Sequence, residues 1–394
     1  MLDEPPIGWV PELMDRIGAA RILVVLGEGG VGKTTLAAAS ALALAMRGER
    51  VLAVTVDPSN RLKTSLGLSG PPGNEEPIRL DAVSRTPIRG SLHAMVLDAA
   101  TELHRLVARL VPDPTARRRI VENVFFGKAA AAMAGTHEYT AMERLLEALE
   151  SGAYTRVVLD TPPERHALDF LDAPVRLHDL LSSDVFQMFV RASSGVSRLG
   201  LQAIRWKTWI LKGIGKFAGE ETFLAVLDFI LAFQPLFDGF RQRTTRVRGL
   251  LTGPESATLI VCRPGARSAE GVRATRAALL DRGITPAAVV VNRVHVWPPP
   301  GAAAGTATGP LDAAAVKDAL WSDPALGLST REELSDLATR LLVLARQYRD
   351  LVDRDLAGLE VLRRESAPTP VLAVPLLSEE VRDLDGLARF AGIS

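Results

Sequence analysis

A single cysteine, Cys262, occurs in 394 residues. One thiol cannot close an internal disulfide or form a CxxC pair, which excludes a disulfide framework and thiolate-cluster metal chemistry within one chain and fits a reducing compartment. Net charge is lacking too: Lys plus Arg and Asp plus Glu each number 46. No overall field draws the chain toward nucleic acid or an acidic membrane, so nonspecific nucleic-acid binding is disfavoured. The histidines, His93, His104, His137, His166, His178 and His295, are scattered without ligand spacing and indicate no histidine-based metal site. Long apolar runs are also missing. The most apolar stretch, residues 222–237, is interrupted by Asp228 and by Gln234-Pro235, short of the roughly 20 residues that span a bilayer. It reads as a buried helix, with no transmembrane segment. The opening residues MLDEPP lack the basic and then apolar pattern of a secretory signal, and a cytoplasmic location is expected.

What is present is apolar sequence in short, ordered runs. Hydrophobic residues make up 47% of the chain, enough for one large domain or a domain with a sizeable insertion. Residues 21–27 (RILVVLG) read as a strand ending in glycine, and the Ala- and Leu-rich residues 34–47 follow as a helix. Residues 51–56 (VLAVTV) supply a second strand and complete a βαβ unit with a parallel sheet. Further strand candidates lie at 156–160, 257–262, 287–292 and 370–374. Between the second strand and Val157, and again between Leu171 and Ser256, the spacing is helical with no strand candidate. The expected fold is α/β: a mostly parallel, doubly wound sheet flanked by helices. One domain would span 1–394, with an all-helical subdomain formed by insertions at about 90–150 and 172–250. Residues 70–74 and the low-complexity residues 298–310 are Pro- and Gly-rich flexible segments. No internal repeat is present, so any two-site machine must be assembled from separate chains.

Residues 27–35, GEGGVGKTT, satisfy G-x-x-x-x-G-K-[ST] between a buried strand and a helix N-terminus. Gly27, Glu28, Gly29, Gly30, Val31 and Gly32 form the loop whose backbone N–H groups curl around a nucleotide's β-phosphate. Lys33 reaches the β- and γ-oxygens, and Thr34, followed by Thr35, places its hydroxyl as a Mg²⁺ ligand. The run VVLD ends in Asp160, an acidic residue at the end of a strand in the manner of a Walker B aspartate, and would hold Mg²⁺. ATP and Mg²⁺ are the implied ligands.

With these motifs in hand, the loop resembles the deviant Walker A of the MinD/ParA/ArsA group. Residues 55–62 (TVDPSNRL) and 160–171 (DTPPERHALDFL) resemble the switch I and switch II segments of its ArsA and tail-anchored-protein targeting branch. Residues 289–293 (VVVNR) and 374–382 (VPLLSEEVR) are similar to its adenine-side motifs. The resemblance spans nearly the whole chain. It implies a dimer with nucleotides at its interface, Asp57 orienting the attacking water, and Asn292 and Pro375 against the adenine.

Two departures qualify that resemblance. The second loop position holds Glu28 where the family has a lysine that crosses to the partner's phosphates. An anion there opposes stabilisation of the γ-phosphate, and cations in that role contribute about 10³-fold or more to rate. A homodimer with weak activity, a heterodimer whose paralogue carries the lysine, and rescue by Arg61 or Arg165 all remain open. Arg61 and Arg165 read equally well as surface arginines. Cys262 alone also supports neither the arsenite-binding thiols nor the CxxC zinc clip of family members.

The second insertion places Trp206, Trp209, Ile210, Ile214 and Phe217 at helical spacing among Arg205, Lys207, Lys212 and Lys216, followed by an almost wholly apolar helix from Phe223 to Phe233. Core packing, a nucleotide-gated groove for an apolar client helix and a membrane-surface role are the three readings. The leading function is a dimeric Mg-ATP-hydrolysing ATPase that gates binding of such a client. The rival is a nucleotide-binding scaffold with little hydrolysis, motivated by Glu28.

Overall fold

The computed structural model describes residues 9–56, 61–83, 88–122, 136–162, 172, 237–299, 313–323, 326 and 330–393. Asp57, Arg165, His166 and the Trp206/Trp209 and Phe223–Phe233 segments lie outside the described residues, and the side chain of Arg61 does too.

The chain opens with α1 (Trp9–Ile17), which buries Trp9, Val10, Leu13, Met14 and Ile17 on one face. That spacing is the apolar stripe of an amphipathic helix. Strand β1 (Ile22–Gly27) is buried along its whole length, as a central parallel strand must be. Helix α2 (Lys33–Met46) is buried nearly all round, and its alanines let it lie close to the sheet. There follow β2 (Arg50–Thr55), α3 (Arg61–Leu66), a two-residue β3 (Glu76–Pro77), β4 (Ser91–Val96), α4 (Ala99–Leu110), α5 (Pro114–Val121), α6 (Thr136–Glu150) and β5 (Arg156–Asp160). The second half comprises α7 (Phe237–Thr252), β6 (Ser256–Cys262), α8 (Ala266–Asp281), β7 (Ala288–Val294), α9 (Ala313–Trp321), α10 (Arg331–Ser366), β8 (Val371–Pro375) and α11 (Leu384–Phe390).

Among the described residues these strands form one eight-stranded sheet in the order β3-β4-β2-β5-β1-β6-β7-β8. Every pairing is parallel except β3 with β4. The six expected strands are present within one or two residues of their expected bounds. The expectation of no strand between residues 56 and 157 is corrected by β3 and β4. Strand β4 carries a single β-branched residue, Val96, and only Leu92, Ala94 and Met95 are buried in it, so it has neither clean alternation nor a continuous apolar run. Pairing with β2 from Arg50↔Ser91 to Thr55↔Val96 decides its conformation.

Alternation along the strands builds two cores, one on each face of the sheet. Leu23 and Val25 pack with α1, α2 and α11. Ile22, Val24 and Leu26 face the other way, against α6, α7, α8 and the C-terminal part of α10. Buried Glu143 accepts hydrogen bonds from Arg109 at 3.0 Å and from Arg243. That carboxylate ties α6 to α4 and α7, so the described ends of both insertion segments meet beneath the sheet. Among the described residues no helix is long and apolar enough to cross a membrane.

Strand β5 lies between β1 and β2, and the chain passes from β5 to β6 on the far side of β1. The order reverses there, and the carboxyl ends of β1, β5 and β6 flank the crevice in which α/β sheets bind ligands.

Candidate functional site

The loop between β1 and α2 occupies that crevice, and its glycines are dictated by close neighbours. Gly27 has φ 150, and a Cβ there would sit 2.1 Å from the Val261 carbonyl oxygen on β6. Gly32 has φ 97, and its Cβ would lie 2.2 Å from Asn292 Nδ2. Only glycine meets both the backbone and the space at these positions. Gly32 also precedes α2 without a side-chain cap, leaving the first-turn N–H groups of the helix for an anion.

Lys33, 7% exposed, folds its ammonium back over the loop and donates to the carbonyls of Gly27 and Glu28, each at 2.9 Å. The next residue, Thr34, donates its hydroxyl to Asp160 Oδ2 at 2.8 Å. Asp160, 1% exposed, is the last residue of β5 and pairs with Val25 on one side and Thr55 on the other. Thr55 donates to the same Oδ2 at 2.9 Å. Thr161 then fastens the chain back to β1 through its hydroxyl and the Val25 carbonyl, 2.8 Å. Val56 N donates to the Asp160 carbonyl at 3.1 Å, fixing β2 up to the residue before Asp57.

Asn292 reaches in from β7. Its Nδ2 donates to the Val31 carbonyl at 2.8 Å and its Oδ1 accepts from Arg293 N at 2.9 Å. Arg293 has φ 64, and the β7/β8 register shifts there before Val294 meets Pro375. This is a bulge beside the site, the usual place for a strand to re-aim a side chain.

Around these groups opens a cleft of about 880 Å³, within the size range of small-molecule sites. Gly30, Gly32, Thr34 and Thr35 line one wall, Asn292 and Arg293 another, and Pro375 with the residues through Arg382 a third. The structure therefore brings the loop, Asn292 and Pro375 to one cavity. Gly27, Val31, Lys33 and Asp160 are buried behind the lining, and Glu28 and Gly29 are exposed. A methyl group on Gly271 would meet Glu28 Oε1 at 3.0 Å, so the Glu28 side chain lies over α8.

Sequence reasoning missed Thr55, Thr161 and Arg263. Arg263 follows β6, and its Nη2 donates to the Gly30 carbonyl at 2.8 Å. The signal for it is positional: β6 neighbours β1, so the residue just past its carboxyl end stands beside the phosphate loop.

Thr34 and Asp160 offer hard oxygen donors side by side. They suit Mg²⁺, which takes one or two protein oxygens and fills its sphere with water and phosphate. Among the described residues no group of three or more His, Cys, Asp or Glu could hold another metal. Cys262 is buried in β6.

A glycine loop joining a parallel strand to a helix, with its Lys-Thr pair and a strand-end aspartate, defines a P-loop nucleotide-binding protein of the α/β class. The sequence model of the family described as anion-transporting ATPase, ArsA type, matches residues 20–209. An uncharacterized protein of Streptomyces coelicolor is 30% identical over 281 residues, 70% of this chain and 62% of the relative. The ATPase GET3 of Malassezia globosa is 26% identical over 276 residues, 70% of this chain and 72% of the relative. A putative arsenical pump-driving ATPase of Chlorobaculum tepidum is 27% identical over 162 residues, 39% of this chain and 36% of the relative. Over these matched regions the chain is similar to the ArsA/GET3 family of ATPases. Its matched region spans less than two thirds of the Streptomyces and Chlorobaculum relatives' lengths.

Proposed function

We propose that the chain binds Mg-ATP in the P-loop cleft and hydrolyses it as a dimer whose nucleotide state gates an apolar helical protein client in the cytoplasm. The observation that carries the reading is the convergence of Thr34 and Thr55 on Asp160 at 2.8 and 2.9 Å, behind a cleft lined by the loop. Thr34 and Asp160 are the residues that would hold Mg²⁺, which would supply charge neutralisation to the nucleotide's phosphates. Lys33 is within reach of the phosphates once it leaves the Gly27 and Glu28 carbonyls. The loop N–H groups and the start of α2 cradle the β-phosphate. Asn292 and Pro375 border the part of the cleft assigned to adenine. Asp57, one residue past the point where Val56 is pinned to Asp160, is the group assigned to orient the attacking water.

The segments at about 99–150, after β4, and 172–250 form the client-binding subdomain in this reading. Packing of α4, α6 and α7 around Glu143 supports their acting together. The lone Cys262 argues against a soft-metal cargo.

Glu28 favours the second reading, a nucleotide-binding scaffold with slow turnover or one half of a heterodimer whose paralogue carries the lysine. Its carboxylate is exposed on the loop. Steady-state phosphate release separates the two readings. Turnover that Asp57→Asn abolishes supports the ATPase. Tight ATP binding with no turnover, even in Glu28→Lys, contradicts it.

A further inference from the structure

A triphosphate brings several negative charges into a cleft that already contains Glu379 and Glu380 and lies beside exposed Glu28. Cations must offset them. The cationic side chains among the described lining residues are Arg263, Arg293 and Arg382. Arg382 is committed to Glu380 at 3.0 Å, and both ends of that pair are exposed. Arg293 sits on the β7 bulge, where the register with β8 shifts.

Arg263 is different. The pairing of Gly27 with Val261 brings the end of β6 alongside the start of the phosphate loop, and Arg263 Nη2 holds the Gly30 carbonyl at 2.8 Å. A guanidinium carries five donors in a planar fork, and this contact uses one of them. Anchored on one side by that hydrogen bond, the fork has lost part of its rotamer freedom, and Arg263 lines the cleft. An arginine so placed suits a phosphate oxygen.

We propose that Arg263 is a phosphate-binding residue of this cleft, holding an oxygen of the nucleotide's polyphosphate while it stays on the Gly30 carbonyl. It supplies in cis a cation that the second loop position, Glu28, does not. The inference rests on the Mg-ATP reading above. The competing role is a neutral tether for the loop, which needs the hydrogen bond to Gly30 and no charge.

Equilibrium titration of the full chain with a fluorescent ATP analogue in Mg²⁺ separates these roles, using Arg263→Ala and Arg263→Gln. Glutamine keeps an N–H donor without the charge. Loss of a charge-assisted contact weakens ATP binding about tenfold in both variants, and both nucleotide-free proteins unfold at the wild-type urea midpoint. Wild-type affinity in Arg263→Gln assigns the residue to tethering and overturns the proposal, as does wild-type affinity in Arg263→Ala. A wild-type protein that binds no ATP contradicts the underlying reading, and the inference falls with it.

Discussion

The Thr34 hydroxyl donates to Asp160 Oδ2 at 2.8 Å across 126 residues of sequence. It joins the first turn of α2 to the end of β5, with Thr55 completing the contact from β2 at 2.9 Å. Two hard oxygen donors, the Thr34 hydroxyl and the Asp160 carboxylate, thus stand side by side behind the phosphate loop. Asp160→Asn keeps the size of the side chain and removes its charge. Its ATP affinity in Mg²⁺ falls about tenfold or more, and its affinity in EDTA stays at the wild-type value. Titrations with and without Mg²⁺ measure the difference.

Asn292 braces the loop, and Gly32 leaves it the room to do so. Gly32→Ala drives a Cβ to 2.2 Å from Asn292 Nδ2 at a residue with φ 97, and nucleotide binding is lost. Asn292→Ala leaves the Val31 carbonyl without this donor, a loss of about 1–3 kcal/mol of stability in urea unfolding. Combining the two relieves the clash and keeps the backbone strain, so the double variant is less destabilised than the sum of the single ones.

Glu102, buried on α4, has its carboxyl pushed up to about 7 by burial, against the opposing attraction of Arg105, with Glu147 and Asp98 adding to the rise. The folded pKa exceeds the unfolded value, so the neutral form is favoured by folding. Stability is highest below about pH 4.5 as far as this group is concerned and declines as pH rises through about 7. Glu102→Gln removes that slope. Urea unfolding at pH 5 and pH 8 then shows a smaller decline than in the wild type, by on the order of 2 kcal/mol.

The phosphate loop was legible because its chemistry is local: a buried run, glycines and Lys-Thr stand together in residues 22–35. Asp160 was legible because it ends a β-branched strand. Strand β4 was not, because its conformation comes from pairing with β2 and not from its own residues. Arg263 and Thr55 escaped for a related reason. Each acquires meaning only from the strand order, which sets β6 and β5 on either side of β1 and β2 beyond β5. Asn292 was assigned to adenine from resemblance. Its amide also grips the Val31 carbonyl, a contact visible only once β7 lies near the loop.

Lys33 carries the central claim. Calorimetric titration of Mg-ATP into the wild-type chain and Lys33→Ala tests it most directly. The account predicts one nucleotide per chain for the wild type and binding at least about tenfold weaker in Lys33→Ala. No heat of binding in the wild type, or equal affinity in the two proteins, contradicts it.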